Sequence, residues 1–260
     1  MLKVLRGATR LRAAGTALIA VVAAGVVAAS ALAVVNGKPD GNAHPYVGVA
    51  VSPQTGALCS GSLLSATVFV TAAHCFADGS TVLVDVQESL ANDNLATAVP
   101  GIVHVPQSFG AVGNGLSGSD RNDFAVVTLL GDGLSVERYA KLPAAGYDDT
   151  LPKNQQVDIV GYGVQDPRSN VAGTRLSAQA KIIAGGGATG SEFLKISSSP
   201  GQGGATCFGD SGGPDLQAGT DTILAISSYG ASATCSAVDY SQRLDTDAAR
   251  SFLSQYVPLP

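Results

Sequence analysis

Short runs of apolar and β-branched residues recur along the chain, at positions 46–51, 58–64, 67–71, 81–86, 125–129, 157–160, 180–183 and 223–227. Each is closed by Gly, Pro, Asn or Asp, a rhythm that suits short antiparallel strands and leaves little room for long helices. The 32 Gly and 12 Pro supply the turns such a chain needs. With 45% hydrophobic and 13% charged residues, the sequence lies far from the disordered class. An all-β fold is the expectation. Only the end of the chain reads as a helix: over 246–256, Ala249, Phe252, Leu253 and Tyr256 fall at i, i+3, i+4 and i+7, with Asp245 and Asp247 near the start.

The net charge of −5, from 15 Lys and Arg against 20 Asp and Glu, excludes a nucleic-acid binder that works by bulk positive charge. The positive charge is also unevenly placed. Lys3, Arg6, Arg10 and Arg12 precede an uncharged run that ends in Ala31-Leu32-Ala33. A basic start, an apolar stretch and a small-x-small site predict a secretory signal peptide over residues 1–33, cleaved after Ala33. An uncleaved anchor is the alternative, since the run is long enough to span a bilayer. The absence of adjacent arginines argues against the twin-arginine route. The remainder, 34–260, reads as one β-rich domain with an irregular segment at 131–154. The resulting divisions are two halves at about 34–140 and 141–245 and a terminal helix over 246–256.

Export to an oxidising compartment makes the four cysteines disulfide candidates. Three connectivities are open, and joining sequence neighbours gives Cys59 with Cys75 and Cys207 with Cys235. Each closure would stabilise by about 3 kcal/mol on the chain-entropy model. A metal site is a poor rival, because there is no C-x-x-C and His74 and Cys75 are adjacent.

Two segments carry chemistry. In Cys207-Phe208-Gly209-Asp210-Ser211-Gly212-Gly213-Pro214 a serine sits in a glycine-rich turn where backbone N–H groups can converge. Serine needs a base to take its proton and a carboxylate to orient that base. Of the three histidines, His44 lies in a turn and His104 at a strand end. His74 closes the apolar run Val70-Thr71-Ala72-Ala73-His74-Cys75. The Gly209-x-Ser211-x-Gly213 spacing also fits the nucleophile elbow of α/β-hydrolases, whose histidine follows the serine. No histidine follows Ser211, so that fold fails on counting.

Thr71-Ala72-Ala73-His74-Cys75 and Gly209-Asp210-Ser211-Gly212-Gly213-Pro214 resemble the two signature motifs of the trypsin/chymotrypsin family of serine proteases. Val34-Val35-Asn36-Gly37 resembles the family's mature N-terminus, with Asn36 where Gly is usual. Leu58-Cys59-Ser60-Gly61-Ser62-Leu63-Leu64 resembles its first cysteine segment, and Asn122-Asp123-Phe124-Ala125-Val126-Val127 its acidic segment. Gly161-Tyr162-Gly163 and Ser228-Tyr229-Gly230 match two further segments, each with Tyr in place of Trp. The resemblance implies two six-stranded antiparallel β-barrels, an active site between them, a C-terminal helix, and disulfides Cys59–Cys75 and Cys207–Cys235.

Carried over by position, His74 would be the general base, Asp123 its orienting partner and Ser211 the nucleophile, with Gly209 and Ser211 N–H groups as the oxyanion hole. Asp120 lies close by, but only Asp123 precedes the Phe-Ala-Val-Val strand. The freed Val34 amine would pair with Asp210. Because Ala33 ends where the Val34 motif begins, signal cleavage is expected to make the active form directly. For the substrate pocket the resemblance points to Ala205 and Thr206 at the base and to Ser228, Gly230 and Val238 on the walls. With no acid at the base and Val238 narrowing the slot, small to medium apolar P1 residues are expected. The activity implied is that of a secreted, extracellular serine endopeptidase, expected to be monomeric and to need no cofactor and no metal. Its partners would be protein or peptide substrates and protein protease inhibitors, with no nucleic acid and no membrane after signal cleavage. The alternative is a catalytically silent binding protein on the same fold.

Overall fold

The computed structural model describes residues 34–90, 95–110, 121–169, 172–184, 192–197 and 203–260; the expected signal peptide at 1–33 lies outside them. A two-residue strand, β1 (Lys38–Pro39), is followed by the strands of the first barrel. These are β2 (Val47–Val51), β3 (Leu58–Ser65), β4 (Val68–Thr71), β5 (Thr81–Asp85), β6 (Val99–His104) and β7 (Ala125–Leu129). They pair antiparallel in the order β2-β3-β4-β7-β6-β5, and β2 returns to β5 to close the barrel. Closure leaves no long unpaired edge. The core is built by β-branched and aromatic side chains such as Phe69, Val70, Val84, Val103 and Val126, all fully buried. A side chain of that size stabilises by about 2 kcal/mol on burial.

The second barrel uses β8 (Gln156–Gly161), β9 (Leu176–Ala184), β10 (Phe193–Ile196), β11 (Pro214–Gln217), β12 (Ile223–Gly230) and β13 (Asp239–Arg243). They run β9-β10-β13-β12-β11-β8, with β8 pairing back onto β9 and β1 added outside β9. The all-β expectation of two six-stranded barrels and a C-terminal helix therefore holds. The sequence runs anticipated the strands of alternating or continuous hydrophobicity. They did not single out β1, β6, β10, β11 and β13, whose Pro, Gly, Lys, Asp, Ser, Gln and Arg residues break the apolar pattern. In β13, Ser241, Gln242 and Arg243 are buried nonetheless.

The terminal helix α1 spans Asp247–Leu253, shorter than the expected 246–256, and residues 254–256 form a turn. Thr246 is its N-cap, accepting the Ala249 N–H at 3.3 Å. Ala249 and Leu253 are fully buried, and Phe252 lies 5.6 Å from Phe124 by ring centroid, so the helix seals the first barrel. Buried Arg175, just before β9, ties the barrels together. Its guanidinium donates to Asp40 Oδ2 at 3.1 Å, and to the carbonyls of Val47 at 2.9 Å and Val86 at 3.0 Å beside the first barrel. Among the described residues no helix is long and apolar enough to cross a membrane.

Candidate active site

β4 and β7 lie antiparallel with Thr71 opposite Ala125. Residues just beyond the end of β4 and just before the start of β7 therefore emerge at the same edge of the barrel, which brings His74 to Asp123 across 49 positions of sequence. His74 sits in a short 3₁₀ turn, Ala73–Cys75, and the Cys75–Cys59 disulfide ties that turn to β3. Asp123 Oδ1 accepts the His74 backbone N–H at 2.9 Å, and Oδ2 faces ring Nδ1 at 2.7 Å. The Ser228 hydroxyl donates to that same Oδ2, and Asp123 N–H donates to Gln242 Oε1 at 3.1 Å. The Asp123 side chain is 3% exposed and that of His74 36%. A sealed carboxylate thus holds one edge of an imidazole whose other edge meets the cleft.

The serine turn is assembled by backbone bonds. Asp210 N–H donates to the Cys207 carbonyl at 3.0 Å and Gly213 N–H to the Asp210 carbonyl at 2.8 Å. Gly209 and Gly212 have φ of +95° and +79°, the left-handed region that favours glycine. At Gly212 space is short as well, since a Cβ would lie 2.2 Å from Thr71 Oγ1 and 2.5 Å from the Ser60 carbonyl oxygen. Ser60 on β3 anchors the turn to the first barrel. Its N–H donates to the Ser211 carbonyl and its hydroxyl to the Gly209 carbonyl, each at 2.9 Å. Gly212 N–H donates to the Ser227 carbonyl on β12 at 2.7 Å, and Cys207–Cys235 closes the far side. Among the described residues, no partner is taken by the N–H groups of Gly209 and Ser211.

Asp210 is buried beneath this turn. Gly163 N–H donates to its Oδ1 at 2.8 Å and Cys207 N–H to its Oδ2 at 2.9 Å, and the Val34 backbone N–H is a further donor. Burial pushes its carboxyl up to about 7 in spite of these donors, and the charge of Asp239 raises it further. Val34 is fully buried in the core of the second barrel.

His74, Thr206, Ser211, Ser228 and Gly230 line one cleft of about 410 Å³, together with Tyr229 and the Cys207–Cys235 bridge. Two residues expected there do not reach it. Ala205 forms an isolated bridge with Val35, donating and accepting backbone bonds at 3.2 and 2.9 Å, and is buried beside Thr206 without itself lining the cleft. Val238 is displaced by its neighbour: Asp239 stands opposite Gly230 and lines the cleft. The cause is a register shift between Ser227 and Tyr229, which pair with Ser241 and Tyr240, so that β12 has one residue more than β13 at this point. Sequence reading also missed the Ser228 hydroxyl as a partner of Asp123 and Gln242 as its backbone acceptor. The Ser228-Tyr229-Gly230 segment was a visible signal for the first.

His44 and His104 fill ordinary structural places, bonded to Asp40 and Thr128 at 2.7 and 2.9 Å. Cys59, His74 and Cys75 bring potential metal-ligand atoms together, but the two sulfurs are bonded to each other and supply no thiolate.

Solved structures of similar fold include human heparin binding protein, at 18% identity and a TM-score of 0.65, covering 87% of this chain and 98% of that one. They also include HL collagenase, at 19% identity and a TM-score of 0.64, covering 85% and 97%. These likenesses establish the fold. No curated protein matches the sequence. The trypsin family model matches residues 34–245, a span that holds both barrels, the paired His74 and Asp123 and the Ser211 turn, and this places the chain in the trypsin family.

Proposed function

We propose that the protein is a secreted serine endopeptidase. The observation that carries this reading is the 2.7 Å contact of His74 Nδ1 with the sealed Asp123 carboxylate, at the edge of a cleft that Ser211 also lines. Asp123 holds the proton on Nδ1 and leaves the Nε2 lone pair for Ser211. Ser211 Oγ attacks the scissile carbonyl carbon while His74 takes the hydroxyl proton. The carbonyl π electrons move onto oxygen, and the Gly209 and Ser211 N–H groups receive the oxyanion. Collapse of the tetrahedral intermediate breaks the C–N bond, with His74 returning the proton to the leaving amine. Water then hydrolyses the acyl-enzyme by the same steps, regenerating Ser211.

Secretion rests on the leader-like residues 1–33 and on two disulfides, which persist in oxidising compartments. Cleavage after Ala33 would free the Val34 amine where its N–H already meets Asp210, and the ammonium would neutralise that carboxylate. A silent binding protein is the second reading, favoured only by the structural likeness to heparin binding protein. Polyanion binding suits this chain poorly, because four of its fifteen basic residues lie within the first twelve positions and its net charge is negative.

The test is the intact mass of the secreted protein before and after a fluorophosphonate. A chain beginning at Val34 with one adduct on Ser211, absent in Ser211→Ala, supports the proposal. A correctly processed protein that takes no adduct and hydrolyses no ester overturns it.

A further inference from the structure

We propose that Ser60 is a positioning residue for the oxyanion hole, its side-chain hydroxyl holding Gly209 in the conformation that aims the Gly209 N–H at the oxyanion; this deepens the endopeptidase reading and rests on it. The geometry is a two-point hold. The two residues whose N–H groups would receive the oxyanion both give their own carbonyls to Ser60, Gly209 to the hydroxyl and Ser211 to the backbone N–H, each at 2.9 Å. Any residue but proline offers that N–H, so the hydroxyl is what serine adds. Its direction is set by a further partner. The Tyr162 N–H, just past β8, can only donate, and it meets Ser60 Oγ at 2.8 Å, which leaves the hydroxyl hydrogen for the Gly209 carbonyl. With Thr71 Oγ1 donating to the Ser60 carbonyl at 2.7 Å, each polar group of this fully buried residue is engaged. Glycines make the room: a Cβ on Gly161 would lie 3.2 Å from Ser60 Oγ, and one on Gly213 3.2 Å from Ser60 Cβ.

Gly209 is the point of the turn that most needs such a hold. At φ +95° it lies in a region that glycine enters and leaves at little cost, so the peptides on either side can turn unless their carbonyls are tied. In a trans peptide the N–H points away from the C=O. The Phe208 carbonyl accepts the Val164 N–H at 2.9 Å and the Asp210 carbonyl the Gly213 N–H at 2.8 Å, which sends the Gly209 and Ser211 N–H groups to the opposite side of their peptides. The peptide between them, Gly209–Asp210, is held at its N–H by the Cys207 carbonyl at 3.0 Å and at its C=O by the Ser60 hydroxyl. Without that hydroxyl the Gly209 carbonyl and the Tyr162 N–H each lose a partner in a buried place, which is costly. Rotation about Gly209 relieves the first loss and carries its N–H out of line.

The experiment has two arms, both on protein beginning at Val34. In the first, ester kcat and KM and the rate of fluorophosphonate labelling are measured across pH for wild type, Ser60→Ala and Ser62→Ala. The last removes another fully buried β3 hydroxyl, one with no hydrogen-bond partner among the described residues. Ser60→Ala is expected to lower kcat and the labelling rate by about ten- to a hundredfold, as a small misplacement of a catalytic group does. KM and the pH midpoint, which His74 sets, should stay where they are, and Ser62→Ala should match wild type. In the second arm, protein carrying ¹³C-carbonyl Phe and ¹⁵N-Gly is observed by NMR, which isolates the Phe-Gly peptides 109–110 and 208–209. Ser60→Ala should shift and broaden the Gly209 signal and leave Gly110 unchanged. If Ser60→Ala does not fold, both arms are run on Ser60→Gly, which removes the hydroxyl without setting a methyl against the Tyr162 N–H. Wild-type rates without the hydroxyl, a rate loss with a displaced pH midpoint, or an unaltered Gly209 signal overturns the proposal. If wild type cleaves no ester and takes no fluorophosphonate, the endopeptidase reading fails by itself, and the Gly209 signal still decides whether Ser60 sets that peptide.

Discussion

Asp123 grips His74 at two points, taking its backbone N–H on one carboxylate oxygen at 2.9 Å and its ring Nδ1 on the other at 2.7 Å. The double contact fixes both the position of the turn and the rotation of the ring. The Ser228 hydroxyl fills the remaining side of Oδ2, so the carboxylate is satisfied without water. Asp123→Asn would keep the shape but present an amide to Nδ1, favouring the tautomer with its proton on the wrong nitrogen. The expected loss in kcat is on the order of 10⁴-fold, the scale established for this triad in serine proteases. Ser228→Ala removes one hydrogen bond to a charged group and should cost about ten- to a hundredfold. Ester kinetics with unchanged thermal stability check both, and full activity in Asp123→Asn would refute the role given to Asp123.

An extra residue before Val34 should separate two pH profiles. With an amide N–H at Val34, Asp210 lacks a cation there and is held at about 7, above its ordinary value of 3.8. An acid raised on folding gives stability that is present below about pH 4 and lost as pH rises through about 7. With a free Val34 ammonium the carboxylate is stabilised ionised, and that loss disappears. The extended form should therefore fall behind the processed form by a few kcal/mol near pH 8, with a smaller gap near pH 4, and lose most of its activity. Denaturant midpoints at the two pH values decide it; parallel curves would show that Val34 and Asp210 do not couple.

Asp148 offers an independent test of burial. Its carboxylate is enclosed, neither oxygen has a hydrogen-bond partner among the described residues, and the nearest guanidinium nitrogen, Arg243 Nε, is 3.7 Å away. Burial first, and then the nearby Asp245 charge, pushes it up to about 8 despite Arg243. The folded state thus favours the protonated acid, and its contribution is lost as pH rises from about 4 through about 8. Asp148→Asn should flatten that decline, gaining on wild type as pH increases. Melting temperatures across pH 5 to 9 would show it, and identical slopes would mean that Asp148 is solvated.

Gly212→Ala should damage stability and chemistry together. The new methyl would meet the Ser60 carbonyl and Thr71 at distances that real side chains do not tolerate, at a φ that alanine avoids. A loss of about 2–4 kcal/mol is expected, with Ser211 labelling slowed at temperatures where the variant stays folded. Wild-type labelling and stability would show that the turn relaxes freely.

Much of this molecule is written locally. Short β-branched runs such as Val68–Thr71 and Ala125–Leu129, bounded by turn residues, suit buried strands, and the 3.6-residue spacing of Ala249, Phe252 and Leu253 suits a helix docked by one face. The motifs around His74, Asp123 and Ser211 were equally legible, since each is a contiguous string. What tertiary structure decided are the relations between strings. Whether Val238 or Asp239 enters the cleft depends on the one-residue bulge in β12, and in a sheet a slip of one residue moves every following side chain to the opposite face. Ala205 is tied by a backbone bridge to Val35, a partner 170 positions away. The raised acids Asp148, Asp210 and Asp215 likewise owe their shifts chiefly to burial, which only the folded chain imposes.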